Sequence, residues 1–221
     1  MGRLVLLSGP SCVGKGPLYS ALERFYPELA KSLEFLVLYN TRAPRPGEKD
    51  GEAYHFRPQA DIEALQKQEG FIVMDVRGDL QALEIASVKR ITDKGKDAFY
   101  EGNPFVATSV MSSPTLASIS RLSVFLSPLS KEEIIHLQDP GNKVSLPDFV
   151  TDVMRRKLLR RTRKQKGILS LKDLENIERR ASSAYQEMKL AWQFDHILPN
   201  HDGEDSENWD AFYHPIGDAR R

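Results

Sequence analysis

The sequence predicts an α/β fold with a mainly parallel sheet, and two observations carry that prediction. Short apolar runs alternate with helix-period segments along the chain. A glycine-rich turn, Gly9 to Lys15, joins the first apolar run to the first helical stretch. A single cysteine and no long apolar span leave an ordinary hydrophobic core, which a chain of 221 residues is long enough to build.

The elements follow in order. Leu4 to Leu7 is a wholly apolar run ending at the turn and reads as the first strand; Leu18 to Phe25 reads as the helix after it. Further strands are expected at Phe35 to Leu38, Ala53 to Phe56, Phe71 to Val76, Asp97 to Tyr100, Leu122 to Leu126 and His196 to Leu198, where β-branched, aromatic and leucine residues cluster between turn residues. Helices are expected at Asp61 to Gln68, Ser87 to Asp93, Lys131 to Leu137, Val150 to Lys164 and Leu171 to Trp192. Gln138 to Phe149 has the Pro, Gly and Asn content of a loop, and the acidic His201 to Asp210 reads as solvated surface.

Bulk charge excludes some functions. Lys plus Arg and Asp plus Glu each number 31, so no global field commits the chain to nucleic acid or to an anionic membrane. One cysteine, Cys12, rules out an internal disulfide framework and a cysteine-based zinc site, and the five histidines show no close metal-ligand spacing. With no signal-peptide pattern and no membrane span, a soluble cytoplasmic protein is expected.

Gly9-Pro10-Ser11-Cys12-Val13-Gly14-Lys15 fits G-x-x-x-x-G-K, a turn whose backbone N–H groups wrap a phosphate while the lysine neutralises its oxygens. A strand before it and a helix after it place the positive helix end at the anion. Gly16 and Pro17 stand where a magnesium-binding hydroxyl would follow the lysine, so the metal ligands are open. Cys12 reads as a small residue accommodated by the turn, although amides aimed at phosphate would also favour its thiolate. Farther on, Asn40 to Phe56 carries Arg42 and Arg45, then Gly47, Gly51 and Tyr54. Guanidinium forks and a tyrosine hydroxyl in such a loop can fix a phosphate; an ordinary solvated hairpin is the alternative.

Together these motifs resemble guanylate kinases. Thr41, Arg42, Arg45, Gly47, Glu48, Gly51 and Tyr54 meet the family's T-R-x-x-R-x-G-E-x-x-G-x-x-Y pattern; Ile62 to Ile72, the "IERRASSAYQEM" helix and "FDHILPN" extend the likeness over most of the chain. The resemblance implies a P-loop NTPase-type parallel sheet flanked by helices, a small mixed β/α lobe that binds a nucleoside monophosphate, and a helical basic lid. One domain is then expected over residues 1–221: core 1–34, 97–150 and 171–221, acceptor lobe 35–96, lid 151–170. The implied reaction takes MgATP and GMP or dGMP to ADP and GDP or dGDP. By position, Gly9, Pro10, Ser11, Cys12, Val13, Gly14, Lys15 and Gly16 would hold ATP, with Asn200 near the adenine. Arg42, Arg45 and Tyr54 would hold the acceptor phosphate with Glu101 nearby, and Arg161 and Arg180 would join Lys15 and Arg42 in stabilising the transferring group.

The lid segment, Met154 to Lys166, holds eight Lys or Arg among 13 residues, a local field suited to polyphosphate; a solvated basic helix or a nucleic-acid contact are the alternatives. Neutral overall charge and the lack of an aromatic stacking motif there argue against nucleic acid. The base-reading positions depart from the family: Leu38, Val73, Gln81 and Leu83 replace its polar set, Asp75 is the nearest acid to Val73, and Glu101 and Asn103 remain of its acidic segment. Another phosphorylated acceptor, or a module that binds a phosphorylated ligand without catalysis, are therefore the competing readings. Oligomeric state is open.

Overall fold

The computed structural model of the chain describes residues 2–45 and 47–213; Met1, Pro46 and residues 214–221, His214 among them, lie outside the described residues. In chain order the elements are β1 (Leu4–Ser8), α1 (Lys15–Phe25), α2 (Pro27–Ser32), β2 (Leu33–Phe35), β3 (Tyr39–Asn40), β4 (His55–Phe56), α3 (Gln59–Leu65), β5 (Phe71–Val76), β6 (Asp79–Glu84) and α4 (Ile85–Asp93). They continue with β7 (Asp97–Gly102), α5 (Pro104–Met111), β8 (Arg121–Ser127), α6 (Lys131–Leu137), α7 (Leu146–Lys166), α8 (Leu171–Ser182), α9 (Ala184–Met188), β9 (His196–Pro199) and α10 (Glu207–Tyr213). A five-stranded sheet takes the order β2-β7-β1-β8-β9, with β2 parallel to β7 and β8 parallel to β9. The α/β class with a parallel sheet flanked by helices is therefore present.

The described residues form two compact units, one from those before Ser8 with those of Lys31–Ser123, the other from Ser8–Ala30 with those from Val124 to Tyr213. The first unit contains a second, mixed sheet ordered β4-β3-β6-β5. Its β5–β6 hairpin turns on Arg77 and Gly78, both left-handed at φ 61° and 86°, the geometry of a two-residue hairpin turn. Asp75 Oδ1 accepts from Gly78 N at 2.8 Å and fixes that turn. Ile62, Met74, Val76, Ala82 and Leu83 are buried around this sheet, and Leu4, Leu6, Val88, Phe99 and Val106 fill the rest of the unit's core.

The second unit is helical around the ends of β8 and β9. On α7, Leu146, Val150, Met154 and Leu158 are buried at four-residue spacing, one stripe along a helix of 21 residues, and α8 answers with Ile177 and Ala181. Each large apolar side chain so buried contributes about 1.5–3 kcal/mol. Capping boxes start α6 at Ser130 with Glu133 and α8 at Ser170 with Asp173.

Several expected elements shift. The strand expected at Phe35 to Leu38 is instead β2 ending at Phe35 and β3 beginning at Tyr39; the strand at Ala53 to Phe56 shortens to two residues. The helix expected from Leu171 to Trp192 breaks at Ser183, where Ser183 Oγ donates to Arg180 O and to the buried Glu187. The loop expected to Phe149 gives way to α7 at Leu146, with Pro147 tolerated in the first turn, where no intrahelical N–H bond is needed. The acidic stretch expected to be solvated surface contains a buried residue, Gly203, and enters α10. Among the described residues no helix is long and apolar enough to cross a membrane.

Candidate functional site

In the second unit the glycine-rich turn is shaped by close approach. At Gly9 an added Cβ would lie 2.4 Å from Leu126 O, so the turn passes against β8 where only glycine fits. Gly14 has φ +102° and ends the turn as the residue before α1; a Cβ there would lie 2.3 Å from Asn200 Nδ2. Lys15 opens α1 and is 6 % exposed, its Nζ donating to Gly9 O at 3.1 Å and Pro10 O at 3.0 Å. A buried ammonium resting on two carbonyls of its own turn, at the positive end of an 11-residue helix, has the chemistry to receive an anion.

Cys12 takes φ 70° within that turn and is buried. Burial pushes its thiol up, Glu204 adds to this, and the charges of Arg161 and Arg180 oppose it. Cys12 is thus the small buried residue expected in the turn, with Sγ donating to Lys157 O at 3.5 Å. Asn200 ties β9 to the turn, donating Nδ2 to Val13 O at 2.7 Å, with its own N–H on Ser127 O at 2.7 Å.

The basic helix α7 is less open than its composition suggests. Arg155 pairs with Glu178 at 2.7 Å, Arg156 with Asp152, Arg160 with Asp205 and Glu207 at 3.4 Å, Arg161 with Glu204, and Lys166 with Asp173. Lys157 differs: its Nζ is buried and has no hydrogen-bond partner, and burial pushes its ammonium down. Lys157 and Arg161 stand four apart and so share a face of α7. Sequence reasoning passed over Lys157, although that spacing was visible.

In the first unit Glu48 organises the arginine loop. Its carboxylate accepts from both terminal nitrogens of Arg42, at 2.6 and 2.7 Å, and from Arg45 N at 2.7 Å. Burial raises the Glu48 carboxyl, but the Arg42 fork, the Arg45 N–H and the two positive charges outweigh it and leave the group below its usual range. The Arg42 guanidinium lies 5.0 Å from the Tyr54 ring centre and 5.4 Å from that of Phe56. Tyr54 is pushed up by burial, with Arg42, Arg45, Glu48 and Glu101 all acting on it, so these five residues form one cluster.

Two buried amides, Asn40 and Gln81, and the half-buried Asn103 adjoin this chemistry. Asn40 and Gln81 face each other across β3 and β6. Asn40 Oδ1 accepts from Arg42 N at 3.0 Å, which fixes its orientation and leaves Nδ2 without a partner. Gln81 Oε1 and Asn103 Nδ2 also lack partners, while Leu38 and Leu83 are 2 % and 1 % exposed. Asp75 serves the hairpin turn and is exposed. The predicted residues thus gather as Arg42, Arg45, Tyr54 and Glu101 in one unit and Lys15, Arg161, Arg180 and Asn200 in the other.

The guanylate kinase family model matches residues 1–145. A guanylate kinase of Alkalilimnicola ehrlichii is 31% identical over 202 residues, covering 91% of this chain and 82% of that protein. Guanylate kinase 1 of Oryza sativa is 34% identical over 131 residues, 59% of this chain; this chain spans only 32% of that protein and of its Arabidopsis thaliana counterpart. The crystal structure of guanylate kinase from Anaplasma phagocytophilum shares the fold, with a TM-score of 0.56 at 20% identity over 99% of this chain and 89% of that one.

Proposed function

The chain belongs to the guanylate kinase family, and we propose that it transfers the terminal phosphoryl group of MgATP to GMP or dGMP. The observation that carries this reading is Lys15, buried in a glycine-shaped turn at a helix N-terminus with the charges of Arg161 and Arg180 reaching the same turn. Lys15 exchanges the carbonyls of Gly9 and Pro10 for donor phosphate oxygens, and Arg161, Arg180 and Lys157 meet the charge on the transferring group. Asn200 lies beside the adenine. Residues 151–170 act as the lid and 35–96 as the acceptor lobe.

On the acceptor side, Arg42, Arg45 and Tyr54 hold the phosphate, with Glu48 keeping the Arg42 fork oriented and Glu101 bordering the cluster. An anionic oxygen of that phosphate attacks the terminal phosphorus of ATP, a new P–O bond forms, and the bond to the bridging oxygen breaks to release ADP. The nucleophile is already ionised, so no side chain has to remove a proton, and catalysis rests on placement and charge. The unpaired Asn40 Nδ2 and Gln81 Oε1 meet polar groups of the acceptor in place of the side chains lost at Leu38 and Leu83. An unpaired buried polar group costs about 1–3 kcal/mol, so a ligand that pairs both gains about that amount for each.

Magnesium does not fit as a protein-caged ion: Gly16 offers no side-chain oxygen, and among the described residues no group of three or more His, Cys, Asp or Glu could hold a metal. It enters as part of the donor. A reduced Cys12 suits a cytoplasmic setting.

The test is calorimetric titration of ATP and of GMP into the wild type, Lys15→Ala and Arg42→Ala. Lys15→Ala should lose ATP binding and keep GMP, and Arg42→Ala the reverse. Equal loss of both ligands in either variant would sink the assignment.

A further inference from the structure

The acidic stretch after β9 folds back over the glycine-rich turn of its own unit and is anchored on both sides. Asn200 Nδ2 donates to Val13 O at 2.7 Å and to Asp202 O at 3.0 Å. Asp202 Oδ1 accepts from Ser206 Oγ and Asn208 Nδ2, both at 2.8 Å. On the far side Trp209 Nε1 donates to Gly203 O at 2.9 Å, and the Tyr213 hydroxyl donates to Pro17 O. Gly203 is buried between these anchors; a Cβ on it would lie 3.4 Å from Cys12 O and 3.5 Å from the Lys157 stem.

The next residue, Glu204, pairs with Arg161, the two side chains being 14% and 29% exposed. Its charge acts on the Cys12 thiol, as do those of Arg161 and Arg180. One carboxylate therefore sits among the phosphate turn and the two arginines assigned to the transferring phosphoryl group. We propose that Glu204 is a built-in phosphate mimic, which occupies Arg161 in the nucleotide-free chain and must be displaced before the donor polyphosphate can bind. The proposal rests on the reading of this turn as the ATP site. Like charges repel at such range, and Arg161 cannot give its fork to Glu204 and to a phosphate together, so the two anions compete. Asp205 and Glu207, which pair with Arg160, take no part in the competition.

The competition is measurable through Trp209, whose indole bonds the displaced segment. Of the two tryptophans, Trp192 is 78% exposed and its change to phenylalanine leaves Trp209 as the reporter. In that background ATP is titrated into the parent, Glu204→Gln and Asp205→Asn while Trp209 emission is followed. Glu204→Gln should bind ATP up to about fivefold more tightly, the span of a partly exposed ion pair. Asp205→Asn should match the parent. Glu204→Asp, which keeps the charge but withdraws it by one methylene, should fall between parent and Glu204→Gln and covers a failure of the latter to fold. ATP binding by the parent with equal or weaker binding by Glu204→Gln overturns the mimic alone. No ATP binding by parent or variants overturns both the mimic and the proposed function.

Discussion

Replacing Lys157 by methionine should move stability and ligand binding in opposite directions. The Lys157 stem packs against Gly203, and Met keeps most of that volume while removing an ammonium that is buried without a partner. Relief of one unpaired buried polar group is worth about 1–3 kcal/mol. For a chain of this size each kcal/mol moves the melting temperature by about 2–4 °C, so nucleotide-free Lys157→Met should melt several degrees higher than the wild type. ATP binding should weaken about tenfold or more, the value of a hydrogen bond to a charged group. The gain in stability has a pH signature. Burial lowers the folded-state pKa of Lys157 from its ordinary 10.5, so the destabilisation is full below the lowered value and is relieved as pH rises through it. The advantage of the variant should therefore shrink as pH climbs towards 10.5. Thermal melts across pH, with ATP titrations on the same protein, provide the assay. A variant that melts lower than the wild type would show that the buried ammonium is not destabilising, and one that binds ATP equally well would show that Lys157 does not meet the donor.

Other outcomes follow from the same geometry. Gly14→Ala should cost about 2–3 kcal/mol, roughly 1–2 for left-handed backbone and about 1 for the Asn200 bond that its Cβ displaces; chemical denaturation measures this, and a neutral variant would show that the turn relaxes freely. Asp173 is held at about 2 by its bonds to Lys166 and Ser170, so its contribution is present above the ordinary carboxylate value and is lost as pH falls towards 2. The melting-temperature gap between wild type and Asp173→Asn should accordingly be seen at pH 7 and close in acid, and a gap that widens in acid would contradict the assignment. Cys12, buried with its thiol pushed up, should alkylate far more slowly than a free thiol at pH 8, as followed by mass spectrometry.

The glycine-rich turn and the arginine loop were legible because each depends on residue types at fixed spacing. Gly9 and Gly14 are required by steric approach, and Glu48 by the fork of Arg42, so one-dimensional motifs carry their geometry. Hairpin β5–β6 was not legible: Arg77 adopts the left-handed turn conformation without the Asn or Asp that usually announces it. α5 was also missed; Asn103 caps it and Pro104 opens it, a start signal present in the sequence but masked by the Ser- and Thr-rich stretch that follows. The acidic segment after β9 failed for a different reason. Its charge reads as solvated surface, whereas Glu204 and Asp205 are drawn in by arginines more than 40 residues away, a long-range pairing that no local pattern records. Gln81 was visible as a departure from the family, but its pairing opposite Asn40 depends on the register of β3 and β6.

ADP release from MgATP should be followed with GMP, dGMP, AMP, IMP, CMP and UMP as acceptors, with Lys15→Ala alongside. Turnover that requires Lys15 and favours GMP or dGMP is the expected result. A wild-type protein that binds ATP yet releases no ADP with any of the six acceptors would contradict it.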